Sequence, residues 1–282
     1  MEILRFKLSG KNAFFKKPEV NTYCYFTYGN IHKVALLGIF GAILGYSGYT
    51  QIQDMIKPKK KKTKLEPSYP EFYERLKDLK VAILPLNEKG NIPKKIQVFN
   101  NSVGYASREQ GGNLIVKEQW LENPAWEICV LIDCEEAEKL KDAIQNHKCV
   151  YYPYLGKNDH LADIEFISVD EAKLAADEEL YRIDSFIKRD DMDLPFKRLS
   201  SEKLKKLLSP DKVNLCSQFK YEEALPYTLD EWVNNYKLER FVYTGSFLEV
   251  NNEDVYCLDN KVYTDKEKKD NIYRKKKYVV FY

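Results

Sequence analysis

The stretch at residues 30–48, NIHKVALLGIFGAILGYSG, decides how the rest of the chain is read. It predicts one apolar helix carrying glycines at 38, 41, 45 and 48. At about 100° per residue, Gly38, Gly41, Gly45 and Gly48 fall within an arc of roughly 80°, so one side has no Cβ atoms. Leu36, Leu37, Ile39, Phe40, Ile43 and Leu44 cover the remainder. Each interior glycine costs ~1 kcal/mol relative to alanine, so the stripe gives up ~4 kcal/mol unless something comes within backbone distance of it. A packed strand or a nucleic-acid backbone meets that requirement. The apolar run is shorter than the ~20 residues of a membrane span, and no cleavage-site pattern follows a basic start, so neither an anchor nor a secretory signal is expected.

Upstream of the helix, residues 2–8 alternate Ile3, Arg5 and Lys7 with Leu4, Phe6 and Leu8, which predicts a strand with one buried and one basic face. It ends at Ser9-Gly10. In KNAFFKKPEVNTYCYFTYGN, Phe14, Phe15, Tyr23, Tyr25, Phe26 and Tyr28 interleave with Lys11, Lys16 and Lys17. Rings and cations on an extended segment suit stacked bases and phosphates, at ~1–3 kcal/mol per stacked base. The competing reading is that many of these rings are core.

Downstream, the lysine run at 57–64 reads as a solvated loop. Residues 71–80 suggest a short helix, and VAILPL a strand ended by Pro85 and Asn87. A polar stretch punctuated by Gly90, Pro93, Gly104 and Gly111-Gly112 predicts a projecting hairpin, a thumb at about 87–118. Lys94, Lys95, Gln97 and Arg108 on it are suited to a nucleic-acid backbone. A strand at 126–132, an amphipathic helix at 134–146, a strand in CVYYPY and another at 162–169 follow. The order β, α, β, hairpin, β, α, β is that of an α+β, ferredoxin-like domain over residues 1–170. Residues 171–282 form a less regular extension, with helices expected at 171–186 and 200–208 and strands at 240–250, 254–263 and 278–281.

Charge is polarised along the chain. The 282 residues carry 45 Lys or Arg and 43 Asp or Glu. Nineteen of the cations and nine of the anions lie in residues 1–110, a formal +10, which leaves −8 for the rest. A basic front half fits a phosphate backbone, and an acidic back half fits basic protein partners. Six cysteines without a C-x-x-C, and three histidines without ligand spacing, predict reduced thiols and no metal centre.

The opening strand with KNAFFKKPEVNT, the helix HKVALLGIFGAILG, the strand motif WLENPAWEICVLID and the turn YLGKNDHLADIE together resemble the CRISPR-associated Cas five family of the RAMP superfamily. The branch resembled is that of type I-B Cascade. The resemblance implies an RNA-recognition-like (RRM-like) domain with a thumb that holds the 5′ handle of the crRNA. It also implies contacts to the large and backbone subunits, and to target DNA through the complex, in the cytoplasm. By position it marks Lys16, Lys17, Tyr28, Asn30, His32 and Lys33 before the helix, and Lys94, Lys95 and Arg108 on the hairpin, as handle contacts. A type I-C relative cuts pre-crRNA without metal. Such cleavage needs a base for a ribose 2′-OH, an acid for the leaving 5′-oxygen and a cation for the phosphate, and His32, Lys33 and Tyr46 are the residues from which that set could be assembled here. The expectation is a binding subunit with no catalytic residue, cofactor or metal. A nuclease, a membrane-anchored protein and a protein-only scaffold stand as rivals.

Overall fold

A computed structural model describes residues 1–19, 23–50, 68–105, 108–175, 181–189, 196–198, 202, 219–250, 254–259 and 276–282. The lysine run at 57–64, nearly all of the helix expected at 200–208 and the turn at 251–252 lie outside them.

The four strands β1 (Glu2–Ser9), β3 (Val81–Pro85), β6 (Ala125–Ile132) and β7 (Asp163–Glu171) form one antiparallel sheet in the order β3-β6-β1-β7. Between them run α1 (Lys33–Leu44), the short α2 (Glu71–Leu76) and α3 (Glu135–Gln145). The sequence order β1-α1-β3-β6-α3-β7 with this spatial order is the ferredoxin-like arrangement. Strand alternation builds two cores. Leu4, Phe6 and Leu8 of β1, with Ile128 and Val130 of β6, pack under Leu36, Leu37 and Phe40 of α1 and Leu140 of α3. Ile3, Ala82, Leu84, Cys129 and Leu131 face the opposite way.

That second face is not open to solvent. β8 (Lys173–Leu174), β14 (Val255–Asp259) and β15 (Lys276–Val280) form a small sheet whose Leu258 and Val279 complete the second core. Tyr282 exchanges main-chain hydrogen bonds of 3.2 and 3.1 Å with Val81, fastening the chain end to the edge of β3. The face of β1 expected to be basic is therefore interior at Ile3 and Arg5, while Lys7 is half-exposed and pairs with Glu165 at 3.6 Å. Arg5 is 4% exposed, donates to Glu127 at 2.9 and 2.6 Å and to Asp170 at 2.7 Å, and Glu127 is also held by Lys277.

The long strands β11 (Lys220–Leu229) and β12 (Tyr236–Thr244), with β9 (Ile187–Arg189), form a third sheet that seats Leu225, Leu229 and Phe241 in the main core. Sequence periodicity does not reveal β11, because Pro226 interrupts it; the pairing register slips at Pro226/Thr228 to accommodate the missing N–H. No helix occupies the described part of 171–186, where Lys173–Leu174 is strand and Tyr181 bridges to Leu248.

Two local expectations are corrected. The helix is Lys33–Leu44, ended by Gly45 at φ +81° in the left-handed region, so Gly48 lies beyond it. The segment CVYYPY is not a strand. Its Val150 and Tyr151 N–H groups donate to the carbonyls of Ile43 and Ala42, each at 3.0 Å, satisfying the last turn of α1.

Candidate nucleic-acid interface

The thumb is an antiparallel hairpin of β4 (Lys94–Asn100) and β5 (Ile115–Glu122), inserted between β3 and β6. Its register places Lys95 opposite Trp120, Gln97 opposite Glu118 and Phe99 opposite Val116. These six residues share one face, and that face is closed by the loop at 154–160. Lys157 lies 2.9 Å from Glu118, 4.6 Å from the Phe99 ring centroid and 5.4 Å from that of Trp120, whose N–H donates to Glu118 at 2.7 Å. Trp120 meets the buried His160 ring at 4.4 Å, and burial lowers the His160 pKa. Lys95 is paired with Glu122 at 3.3 Å.

The other face, with Lys94, Ile96, Val98, Asn100, Ile115 and Lys117, is exposed. Adjacent strand residues point opposite ways, so Lys94 and Lys95 cannot serve one ligand surface together. Lys94, Lys117 and, at the hairpin tip, Arg108 form no ion pair among the described residues.

The loop before α1 is zipped onto this thumb. β2 (Asn12–Ala13) pairs with Leu121 and Glu122, and Lys16 bridges to Thr27 across the loop. Tyr25 donates to the Lys117 carbonyl at 2.9 Å and accepts from the Gln119 N–H at 2.8 Å. Lys16, exposed and without an ion pair among the described residues, sits 3.8 Å from the centroid of the Tyr25 ring. Lys17 turns to the other side, 5.2 Å from the Tyr28 ring and 3.9 Å from Glu223. Between the loop and β5 lies a cleft of about 350 Å³, with Lys16 and Lys117 among its walls. Tyr25 belongs to the stretch of rings and lysines expected to meet RNA, whereas nothing in the sequence singles out Lys117. The signal available was the alternation of β5, which shows only once its partner strand is known.

Several expected contacts are internal. Phe14 is buried beneath the loop and donates its N–H to Leu155. Asn30 is fully buried, donating to the Gly90 carbonyl at 3.0 Å and accepting from the Trp126 indole at 2.9 Å. His32 caps α1, its Nδ1 accepting from the Ala35 N–H at 3.1 Å, and it is ringed by Phe15, Tyr28 and Tyr236. Burial lowers its pKa to about 3. Lys33 donates to the main-chain oxygen of Tyr282 at 3.2 Å beside the Tyr227 ring, and burial lowers its pKa to about 8. Tyr28 is buried too, its hydroxyl without a hydrogen-bond partner among the described residues and its pKa raised by that burial to about 12. None of Phe14, Tyr28, Asn30, His32 and Lys33 presents a surface to RNA. Lys11 and Arg108 are exposed, and Gln97 is half-buried on the closed face.

The glycine stripe serves another helix. A Cβ on Gly41 would stand 2.5 Å from the Phe72 Cβ of α2, and one on Gly38 4.0 Å from the Phe72 ring. A Cβ built on Gly48 would meet no atom within 4 Å. The three residues offered as nuclease machinery are not assembled: His32 and Lys33 stand at the start of α1, and Tyr46 lies beyond its end, about 18 Å of helix away. The Tyr46 hydroxyl is bonded to Glu136 under Arg75. Among the described residues no cluster suits a metal ion, and no helix is long and apolar enough to cross a membrane.

No protein-family model matches the chain, and no curated protein matches it. Among solved structures, a CRISPR RNA-guided surveillance complex contains a chain with 12% identity and a TM-score of 0.46, covering 86% of this chain and 90% of its own length. A CRISPR protein from Archaeoglobus fulgidus has 11% identity and a TM-score of 0.44, with coverage of 99% and 98%. A chain of the Type III-B Cmr-beta complex bound to cognate target RNA and AMPPnP has 14% identity and a TM-score of 0.44, with coverage of 88% and 86%. All three are CRISPR-associated chains.

Proposed function

We propose that this chain is the crRNA-binding subunit of a type I CRISPR surveillance complex, holding the single-stranded 5′ handle against the thumb and the loop before α1. The observation that carries this is the pairing of Tyr25 with β5, which makes one surface from two segments some ninety residues apart and sets Lys16 beside Lys117. Rings and unpaired cations on an extended surface are what a single strand requires, because its bases are splayed and its phosphates free. An RNA-recognition module would stack bases on its sheet face; here Leu258 and Val279 fill that face, so the ligand is directed to the hairpin side.

Binding without cleavage by this chain is part of the reading. Purification of the assembled complex from its own cells should recover a small RNA of defined 5′ end, and a particle free of RNA would overturn the assignment. Incubation of the pure chain with repeat RNA in EDTA should leave the RNA intact. A product ending in a 2′,3′-cyclic phosphate would show a nuclease instead.

A further inference from the structure

The cleft between the loop and β5 combines three kinds of wall. Tyr23 and Tyr25 contribute flat rings, Ile115 a branched aliphatic surface, and Lys16 and Lys117 positive charge. Cys24 also lines the cleft, its thiol donating to the Tyr25 carbonyl at 3.8 Å, and the acidic residue among the walls is Glu19, which is exposed. At about 350 Å³ the space is at the small end of ligand sites, enough for one nucleotide and too small for a duplex step.

A carboxylate repels phosphate, so with two lysines available the phosphate belongs on the lysines and Glu19 faces something that donates hydrogen bonds. Ionised, it offers two acceptors side by side and no donor. Among the four RNA bases only guanine presents two adjacent donors, N1–H and the N2 amino group, on its Watson–Crick edge. Adenine and cytosine each set an acceptor next to their amino group, and the uracil imino group lies between two carbonyls. That edge is free only in an unpaired base.

We propose that this cleft binds one unpaired guanine nucleotide, its base held between the tyrosines and Ile115, its phosphate on Lys16 and Lys117, and its Watson–Crick edge on Glu19. Glu19 is then the specificity-determining residue of the surface. The inference rests on the single-stranded RNA reading above and adds base choice to it.

The test uses the full chain and labelled eight-nucleotide RNAs of uridine with one central guanine, adenine, cytosine or uridine, followed by fluorescence anisotropy. The guanine oligonucleotide should bind about tenfold more tightly than the other three, the discrimination expected of one bidentate base contact. Glu19→Gln should erase that preference by weakening binding of the guanine strand to the level of the other three. Lys117→Ala should weaken all four equally. Equal binding of the four RNAs by the native chain, or a guanine preference that survives Glu19→Gln, would overturn the cleft assignment and leave single-strand binding standing. Failure to bind any of the four would overturn both.

Discussion

His32, Lys33 and Asn30 show how a functional motif and a structural one can look alike in sequence. Three polar residues before an apolar helix read as ligand contacts, yet each satisfies a partner inside the protein. His32 caps its own helix through the Ala35 N–H, but the partners of Lys33 and Asn30, namely Tyr282, Gly90 and Trp126, are remote in sequence, which is why no local pattern announces them. Burial has a measurable consequence at His32. Its folded pKa of about 3 lies below the ordinary value of 6.5, so the unfolded chain binds the proton first and stability is lost as pH falls from about 6.5 toward 3. Between about pH 7.5 and 5.5 this residue alone removes ~1 kcal/mol. His160, also lowered by burial, acts in the same direction. In denaturant titrations at the two pH values, His32→Asn, which retains a capping side chain, should reduce the pH-dependent loss by about that amount; an unchanged loss would refute the assignment. Arg5 offers a second check. Both it and Glu127 are 4% exposed, so Arg5→Met should destabilise the fold by ~3–5 kcal/mol in the same assay.

At the scale of elements, the helix at residues 33–44 and the strands β1, β3, β6 and β7 are legible from the sequence because their periodicity is strong and their boundaries carry Gly, Pro or Asn. The end of the helix is not, since Gly45 fits the wheel of the interior glycines and acts as the cap that stops it. The purpose of the stripe is also hidden, because α2 is only six residues long and lies beyond a segment of low sequence complexity. Gly41→Leu should therefore damage the packing of α1 on α2 through Phe72, lowering the melting temperature of the isolated chain, whereas Gly48→Ala should shift stability by less than ~0.5 kcal/mol. The thumb was recognisable as a hairpin but its two faces were not, since only the register shows that Lys95 faces Trp120 while Lys94 points away. Lys16 and Lys117 lie on the open side. Changing both to Glu should weaken RNA binding and flatten its log–log salt dependence by about 1.4, about 0.7 for each contact to a single strand. An unaltered slope would place the RNA elsewhere.

For the whole molecule, polarity of charge along the sequence translates poorly into polarity in space. Arg5 and Lys277 belong to opposite ends of the chain and share Glu127. The C-terminal strands close the sheet face that an RNA-recognition module leaves open, and Tyr282 ties them to β3, so thermal unfolding should show one cooperative transition. Among the described residues, the outer face of the thumb and the loop zipped to it form an exposed surface outside that closed body. The most direct test of that claim is ultraviolet cross-linking of the chain to single-stranded RNA, with the attachment sites read by mass spectrometry. Adducts should concentrate on residues 16–25 and on β4, β5 and the hairpin tip. Adducts concentrated instead on β11 and β12, or on the tyrosines at 151–154, would contradict the account.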